Sequence, residues 1–516
     1  MNFMKKLVLS IFVLMLSLPT FAKNIAGDWH NDLRDLFLQN NAIIYTINMR
    51  TFNAKDTNGD ELIDETEESG NFMNAIERLD NLSDMGINTL HILPITPVGK
   101  IKAYGTAGSL YAITNFSEIN PQLVSKSSSL PAKSQAKKFI KECHKRNIRV
   151  IIDLPSCGAY DMFLEHPEYF VKDKEGNPIV PLDWSDVRLF DTNKKNSLNN
   201  DLVKEHKKFV DMAISIGADG IRADVARLKS QKFWKEIIDY ARKKDSEFLF
   251  LAEASPSWTD AVSPYAYNAT VEELFNAGFD GYLGNYFNLK NMKTGKELIT
   301  TVENDLKLFK KYDNQKSVIG SFTTHDEVSP VLIHGADFSK MIIWLNSTLP
   351  LNSYYVDGFQ TGDTYTYPLA NKYAKKSQTD DEYYFTHNGQ IDIFNFSRKP
   401  DGKDLSIQEE FILANKFKAY YESGLSTAKF VPLKVSNPKV FAYARVMNNA
   451  SVVVFGNLDF KDKQAVVVKV PKLKHKNKIV NIRVVKNIHN EYSKGKIKTT
   501  LAPGDIQVLL IRNLVF

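Results

Sequence analysis

Short apolar runs alternate with amphipathic segments along most of the chain, from about residue 42 to residue 370. In one amphipathic segment, Phe72, Ile76, Leu79, Leu82 and Met85 recur at helical spacing. The pattern predicts strands at residues 42–45, 88–95, 149–153, 220–224, 248–253 and 317–322, and helices at 72–85, 136–145, 201–216, 232–243 and 296–312. Apolar strands separated by helices indicate right-handed crossovers and a parallel sheet.

The fold class that this alternation predicts is α/β, in the form of a closed (β/α)8 TIM barrel. The first strand is not followed by a glycine-rich phosphate turn, which a dinucleotide-binding sheet would need. Turns and aromatic residues replace the alternation between about 155 and 200, so we expect a short excursion after the third strand. From about residue 430 only short strands are predicted, at 440–446, 450–457, 464–470 and 507–511, which indicates a C-terminal all-β sandwich.

The N-terminus has the pattern of a secretory signal peptide. A basic pair, Lys5 and Lys6, precedes an apolar run at residues 7–18 and a small-residue cleavage site that ends at Ala22. We therefore expect a secreted or periplasmic protein, with a signal peptide at 1–22, a catalytic barrel at 23–425 that includes a 155–200 insertion, and a β-sandwich at 426–516. The apolar run is too short to predict a membrane span, although an uncleaved anchor is the alternative.

Composition narrows the function without naming it. A chain of 516 residues is long enough for a large domain and a smaller one. The net charge of +6 comes from 66 basic and 60 acidic residues and forms no basic stripe, so we expect no nucleic-acid partner. We also expect a monomer, although nothing in the composition fixes the oligomeric state. Cys143 lies in a predicted helix and Cys157 beyond the next strand, about 20 Å away, which is too far for a disulfide.

Three of the apolar runs lead to a single acid, at Asp224, Glu253 and Asp326. A carboxylate at the tip of a buried strand is costly unless chemistry requires it, and the tips of parallel strands meet at one mouth of a barrel. Arg222 precedes Asp224 by two residues, on the same side of the strand, and is expected to keep that acid ionised. Glu253 has no cation near it in sequence, so desolvation is expected to raise its pKa, as a general acid requires.

Five segments resemble the α-amylase superfamily, glycoside hydrolase family 13, and the resemblance covers roughly residues 40–510. Gly220-Ile-Arg-Ala-Asp-Val-Ala is similar to the family's Gly-x-Arg-x-Asp-Ala, and Ala252-Glu253 is similar to its general-acid strand. Thr324-His-Asp resembles Asn-His-Asp, with threonine in place of asparagine. Residues 86–94 resemble the second barrel strand, and residues 111–121 resemble the stretch whose first tyrosine stacks on the sugar.

The resemblance implies a retaining hydrolase of α-glucosidic bonds in starch, glycogen or maltooligosaccharides. Asp224 would be the nucleophile, Glu253 the acid/base, and Asp326 the carboxylate that stabilises the oxocarbenium-like transition state, with the first two carboxyls about 5–5.5 Å apart. The expected substrate contacts are Arg222, His325, Tyr111 and Arg227.

One family segment differs in a way that bears on the substrate. The family pattern Asp-x-x-x-Asn-His is replaced by Asp153-Leu-Pro-Ser-Cys157-Gly158, so the asparagine and the substrate-binding histidine are absent. Loss of one hydrogen bond to the sugar would weaken transition-state binding by roughly 1–2 kcal/mol. Leu228 also replaces a histidine that many α-amylases have. An α-glucan transglycosylase with the same three acids, or a catalytically weak glycan-binding protein, therefore remain as alternatives.

A calcium loop is predicted between the first strand and the first helix. Oxygen ligands recur at alternate positions, and the expected Ca²⁺ ligands are Asp56, Asn58, Asp60, the carbonyl of Leu62, and Asp64. Glu61 replaces the turn glycine that such loops usually have, and a solvated acidic turn is the alternative.

Four aromatic residues are predicted to lie on loops after strands: Trp184, Trp258, Tyr354 and Tyr355. Sugar rings stack on such faces, so these are candidate subsites, with ordinary loop packing as the alternative.

Overall fold

The computed structural model describes residues 29–514 apart from 60–62, 64–65, 106, 195–196, 365–392, 395–401, 475–476 and 484–489. The predicted signal peptide and three of the predicted calcium ligands, Asp60, Leu62 and Asp64, lie outside the described residues.

Eight parallel strands close into a barrel, which confirms the predicted fold class. The strands before the C-terminal region are β1 (Ile43–Ile47), β2 (Thr89–Ile92), β3 (Arg149–Leu154), β4 (Cys157–Ala159), β5 (Val187–Leu189), β6 (Asn193–Lys194), β7 (Ser197–Leu198), β8 (Gly220–Ala223), β9 (Leu249–Ala252), β10 (Gly281–Tyr282), β11 (Ser317–Gly320) and β12 (Asn352–Val356). Around the barrel the order is β1-β12-β11-β10-β9-β8-β3-β2. All eight barrel strands are buried along their whole length, as expected where helices cover the outside and side chains fill the inside.

Helices connect consecutive barrel strands on the outside. The described helices are Leu33–Leu38, Met49–Phe52, Phe72–Ala75, Leu79–Asp84, Ala132–Lys145, Tyr160–Glu165, Asn200–Ile216, Gln231–Arg242, Val271–Ala277, Gly295–Lys310, Pro330–Thr348, Leu405–Tyr420 and Glu422–Ser426. The helix predicted at 72–85 is not continuous, because a 3₁₀ turn at Ile76–Arg78 separates its two α-helical parts.

The excursion after β3 is present where the sequence predicts it. Strand β4 pairs antiparallel with β5, and β6 pairs with β7, so the segment forms two small hairpin sheets over the carboxyl ends of the barrel strands. Phe170 and Phe190 pack against each other at 5.1 Å between ring centroids, and Phe190 also packs against Phe116 at 5.7 Å. This aromatic cluster fixes the excursion against the loop after β2.

The C-terminal region consists of antiparallel sheets. Its strands are β13 (Lys429–Pro432), β14 (Val440–Val446), β15 (Ala450–Asn457), β16 (Gln464–Lys469), β17 (Ile479–Asn481), β18 (Glu491–Ser493), β19 (Lys496–Leu501) and β20 (Ile506–Arg512). One sheet has the order β13-β14-β15-β20-β17 and the other β16-β19-β18. Tyr443 bonds the Thr348 hydroxyl at 2.7 Å and Arg445 donates to the Thr348 carbonyl at 2.9 Å, which ties this region to the barrel.

Cys143 and Cys157 are both buried, unpaired thiols, so the prediction that they form no disulfide is confirmed. The described part of the chain contains no helix of the length and hydropathy needed to span a bilayer.

Candidate active site

The predicted acids meet at the carboxyl ends of the barrel strands. Asp224 directly follows β8, Glu253 directly follows β9, and Asp326 lies on the loop after β11. All three line one cleft of about 260 Å³. The other lining residues are Ser109, Tyr111, Cys157, Trp184, Asp186, Val187, Val225, His325, Ile393 and Phe394. The sequence prediction of one shared site at the barrel mouth therefore matches the geometry.

Arg222 is the charged centre of this site, because its guanidinium contacts three carboxylates. Its Nη1 donates to both oxygens of Asp153, at 2.8 and 2.7 Å, and lies 3.3 Å from Oδ1 of Asp224. Its Nη2 lies 2.7 Å from Oε2 of Glu253. Arg222 is 5% exposed, so these contacts form in a poorly solvated environment where charge pairs are strong.

Asp153 is the carboxylate that Arg222 holds most closely. Burial opposes ionisation of Asp153, yet the charge of Arg222 and a hydrogen bond from His91 together lower its pKa to about 2. Arg222 therefore lies closer to Asp153 than to Asp224, its neighbour in sequence. Glu253 also has a cation beside it, Arg222, although none lies near it in sequence.

The two acids of the predicted displacement are each held at one oxygen by a backbone amide. Ser156 donates its N–H to Oδ2 of Asp224 at 3.0 Å, and Val225 donates its N–H to Oε2 of Glu253 at 2.8 Å. Val225 has φ +33°, a left-handed conformation that is rare for a β-branched residue. Such strain costs about 1–3 kcal/mol and persists where surrounding contacts enforce it. Here it aims the amide at Glu253.

Asp224 differs from its predicted charge state. Burial and the neighbouring charge of Glu253 raise the pKa of Asp224 well above its ordinary range, against the opposing charge of Arg222. Because the charge of Glu253 disfavours a second negative charge nearby, Asp224 holds a proton more readily in the unliganded site than an ordinary aspartate does.

Asp326 lines the same cleft, with 40% of its side chain exposed. Burial of the surrounding site and the charge of Glu253 raise the pKa of Asp326 to about 7. Water in the open cleft screens part of this effect.

His325 and Tyr111 lie beside Asp326 as a stacked pair. Their ring centroids are 5.9 Å apart and their planes differ by 9°. The Tyr111 hydroxyl donates to Asp153 at 2.8 Å and lies 2.8 Å from Nε2 of His325. Burial and the charge of Arg222 lower the pKa of His325 well below its ordinary value, so the ring is neutral. Its Nδ1 is buried and has no hydrogen-bond partner among the described residues.

A second histidine, His91 on β2, is a site residue that sequence reasoning did not assign. Its Nε2 lies 3.3 Å from Asp153, and its Nδ1 lies 3.2 Å from the Thr46 hydroxyl and 3.0 Å from the Tyr354 hydroxyl. Burial lowers the pKa of His91, although Asp153 opposes this. The sequence signal for it was a histidine between the apolar residues Leu90 and Ile92 of a buried strand.

The structure corrects the interpretation of Gly158. A Cβ built on Gly158 would lie 2.8 Å from Cζ of Phe170 and 2.8 Å from Cε1 of Phe190, so no gap exists where the family has its histidine. Position 158 faces the aromatic cluster under the excursion. Cys157, one residue earlier and on the other face of β4, lines the cleft instead. Burial raises the pKa of the Cys157 thiol, which keeps it protonated.

Arg227, a predicted substrate contact, lies outside the residues that line the cleft. It is 5% exposed, and its Nε donates to Oδ1 of Asn268 at 2.8 Å. Its Nη2 also donates to that oxygen and to the Asp260 carbonyl. These bonds tie the turn after β8 to the loop after β9. Leu228 is likewise buried, 3% exposed, in an apolar cluster with Cys157.

The four aromatic residues predicted as subsites lie in three different places. Trp184 lines the cleft, next to Asp186, a buried carboxyl whose pKa burial raises. Trp258 packs against the apolar cluster inside the barrel. Tyr354 and Tyr355 lie within β12 rather than on a loop, with 3% and 0% exposure, so their placement on a loop was wrong.

The described part of the predicted calcium loop is a tight polar turn. Oδ1 of Asp56 accepts the N–H of Gly59 at 2.7 Å. Glu67 accepts the N–H groups of Thr57 and Asn58, at 2.5 and 3.1 Å. A backbone bond from Lys55 N to the Glu68 carbonyl, 2.8 Å, closes the loop at its base. The oxygen donors Asp56 and Asn58 suit a hard cation such as Ca²⁺.

Comparison with known proteins gives a consistent set of neighbours, although no family model matches the chain. The chain is 25% identical over 477 residues to an α-1,4-glucan:maltose-1-phosphate maltosyltransferase of Picrophilus torridus, covering 86% of this chain and 68% of that protein. It is 28% identical over 224 residues to the α-amylase MalA of Haloarcula japonica, covering 42% of this chain. That second match spans only 30% of the length of MalA.

Solved structures share the fold. The α-amylase of Lactobacillus plantarum superposes with a TM-score of 0.67 at 21% identity, covering 92% of this chain and 99% of that one. The resemblance carried by the sequence motifs is therefore confirmed, because the curated and structural neighbours of this chain are glycosidases and glucan transferases of the α-amylase family, glycoside hydrolase family 13.

Proposed function

We propose that this protein is a retaining glycoside hydrolase that cleaves α-glucosidic bonds in starch, glycogen or maltooligosaccharides. One observation carries the proposal: Asp224 and Glu253 lie against the same guanidinium, at 3.3 and 2.7 Å, in a cleft that Asp326 also lines. Retention needs two carboxyls close enough for direct attack on the sugar, without a water molecule between them.

In the first step Asp224 attacks the anomeric carbon while Glu253 transfers a proton to the departing glycosidic oxygen. Two donors, Arg222 Nη2 and Val225 N, bind Oε2 of Glu253, so Oε1 is the oxygen left to carry that proton. In the second step Glu253 takes a proton from water, which attacks the same carbon and releases Asp224. Asp326 stabilises the positive charge that develops on the sugar ring in both steps.

Transfer to a sugar hydroxyl is the second candidate function. It is supported by the similarity to a maltosyltransferase, which covers 86% of this chain. Four carboxyl side chains line the cleft: Asp186, Asp224, Glu253 and Asp326. None of the described lining residues is a lysine or an arginine. An anionic acceptor such as phosphate would be repelled there, so we propose neutral acceptors, namely water or a sugar hydroxyl.

The test uses a chromogenic maltooligosaccharide with the wild type and with Asp224→Asn. We expect release by the wild type, a loss of at least about 10³-fold in the variant, and a product that NMR shows first as the α-anomer. Equal, near-zero rates in both proteins would contradict the enzyme function and favour a glycan-binding role. Added maltose or inorganic phosphate, followed by product analysis, separates hydrolysis from transfer.

We also propose that the loop at residues 56–67 binds one structural Ca²⁺, with Asp56, Asn58, Asp60, the Leu62 carbonyl and Asp64 as its ligands. The closed base of the loop and its oxygen donors support this proposal. A chelator should lower the thermal midpoint by several degrees while leaving kcat at 25 °C unchanged. An unchanged midpoint would contradict the site.

Finally, we propose that residues 1–22 direct export to the periplasm or the medium and that the mature protein is monomeric. The basic, apolar and small-residue order of this segment supports export. Mass spectrometry of the secreted chain should find a mature protein that begins at Lys23, and light scattering should give the mass of one chain.

A further inference from the structure

A buried lysine lies directly behind the proposed nucleophile. Lys229 follows the turn after β8 and is 1% exposed. Its Nζ donates to the Ser156 hydroxyl at 2.9 Å and lies 3.3 Å from the Ser156 carbonyl oxygen. Nζ also lies 5.3 Å from the centroid of the Trp234 ring, which shields it from solvent on one side.

Ser156 connects Lys229 to Asp224 through hydrogen bonds. The Ser156 N–H donates to Oδ2 of Asp224 at 3.0 Å, and the Ser156 hydroxyl donates to the main-chain carbonyl of Asp224. Both oxygens of Ser156 are therefore held by Lys229, while its N–H and O–H hold the nucleophile. Since Ser156 lies on the loop after β3 and Lys229 on the loop after β8, the lysine ties two neighbouring loops around Asp224.

The position is an unfavourable one for a charge. Among the described residues no carboxylate forms an ion pair with Nζ of Lys229, and burial lowers its pKa to about 8, with Cys157 and Asp224 opposing that shift. His206, also nearby, is neutral because burial lowers its pKa well below the ordinary value. An apolar side chain packed against Trp234 would avoid the desolvation cost of an ammonium group.

We propose that Lys229 is a positioning residue that acts through Ser156 to hold Oδ2 of Asp224 in the orientation for attack; this rests on the proposed role of Asp224. The ammonium holds both the hydroxyl and the carbonyl oxygen of Ser156, which restrains this residue so that its N–H remains directed at the carboxylate. The positive charge also favours the ionised form of Asp224, whose pKa burial and Glu253 raise.

Lys229→Met tests this with a matched control, Lys418→Met. Lys418 is equally enclosed, 4% exposed, and its Nζ donates to two carbonyls and to the Ser353 hydroxyl at 2.9 Å, on the outer side of the barrel. Both variants should lower the thermal midpoint. Only Lys229→Met should lower kcat, by about 10- to 100-fold with KM within about twofold, the effect of one lost bond to a charged group.

A rescue experiment separates charge from packing. Lys229→Ala leaves space for a small amine, so ethylammonium should restore at least about a fifth of the lost kcat, while ethanol at the same concentration should not. Rescue by both compounds, or a kcat loss in Lys418→Met equal to that in Lys229→Met, would overturn the positioning role.

A crystal structure of Lys229→Met provides a readout that does not depend on glycosidase activity. The Ser156 N to Asp224 Oδ2 distance should lengthen beyond 3.5 Å if Lys229 positions Asp224, even if the proposed function is wrong. An unchanged 3.0 Å bond in the variant would overturn the inference, whereas inactivity of the wild type would overturn only the proposed function.

Discussion

Replacing Arg222 with methionine is the most informative perturbation of this site. The guanidinium contacts Asp153, Asp224 and Glu253 at 3.3 Å or less, and it is 5% exposed. Methionine keeps most of the side-chain volume and removes the charge and all of these donors. Three acids would then share the barrel mouth without a guanidinium.

The expected loss of stability can be worked out from the pKa of Asp153 and from the burial of the Arg222–Asp153 ion pair. The pKa of Asp153 is about 2, against an ordinary value of 3.8, which corresponds to roughly 2–3 kcal/mol of stability. Breaking a buried ion pair costs about 3–5 kcal/mol in general. Because the folded pKa is depressed, this stability is present above about pH 4 and is lost as the pH falls through about 2.

In Arg222→Met, no guanidinium would offset the burial of Asp153, so the pKa of Asp153 should rise above its ordinary value. The carboxyl should then protonate under mildly acidic conditions. The thermal midpoint should therefore be lower than that of the wild type by on the order of 5 °C at pH 7, with a smaller difference at pH 4.5. The kcat for a maltooligosaccharide should fall by at least about 10²-fold, because Asp224 and Glu253 lose their shared donor.

The assay is thermal unfolding at one scan rate at both pH values, together with initial rates at pH 7. Arg149→Met is the matched control, since Arg149 is 6% exposed and pairs with Asp32 at 2.6 Å at the amino end of β3, away from the cleft. It should lower the midpoint equally at both pH values and keep kcat. The reasoning would be refuted if Arg222→Met retained kcat within threefold, or if its midpoint deficit were the same at pH 4.5 and pH 7.

Three further predictions follow from single contacts. Gly158→His introduces the histidine of the α-amylase pattern and should lower the thermal midpoint without raising kcat/KM. The new Cβ would lie 2.8 Å from Phe170 and Phe190, and such overpacking costs about 1–3 kcal/mol. A gain in kcat/KM would contradict this prediction. Arg227→Met should lower the thermal midpoint while leaving KM within about twofold, because the Arg227 guanidinium bonds Asn268 and does not line the cleft. A tenfold rise in KM would instead support the predicted contact between Arg227 and the sugar. Burial raises the pKa of Asp305 to about 6, so its contribution to stability is complete at low pH and is lost as the pH rises through 6. The midpoint of Asp305→Asn relative to the wild type should therefore be higher at pH 8 than at pH 5, and a pH-independent difference would rule this out.

The barrel and the three acids could be predicted because their signals are local. Each acid follows its own apolar run, and a parallel sheet places the ends of such runs at one edge, so Asp224, Glu253 and Asp326 required no knowledge of long-range packing. The C-terminal antiparallel sheets were predictable for the same reason, since helical spacing ends near residue 430. Placing Tyr354 and Tyr355 on a loop failed because the apolar run of β12 is short and rich in polar residues.

The charge relations within the site could not be predicted from neighbours in sequence. Arg222 lies two residues from Asp224 but holds Asp153, 69 residues away, more closely, and it also reaches Glu253. His91 and Ser156 join the site only because β2, β3 and β8 are adjacent in the closed barrel. Each pKa depends on these neighbours and on burial, both of which are properties of the folded site.

The sequence by itself therefore predicted the barrel, the resemblance to the α-amylase family and the placement of the three acids, because hydrophobic periodicity and the residues at strand ends can be identified in short consecutive segments. The tertiary structure alone decided which acid Arg222 serves, that Arg227 bonds Asn268, and that Phe170 and Phe190 occupy the space beside Gly158. These outcomes depend on the directions in which side chains from distant segments converge, and no short stretch of the chain encodes those directions.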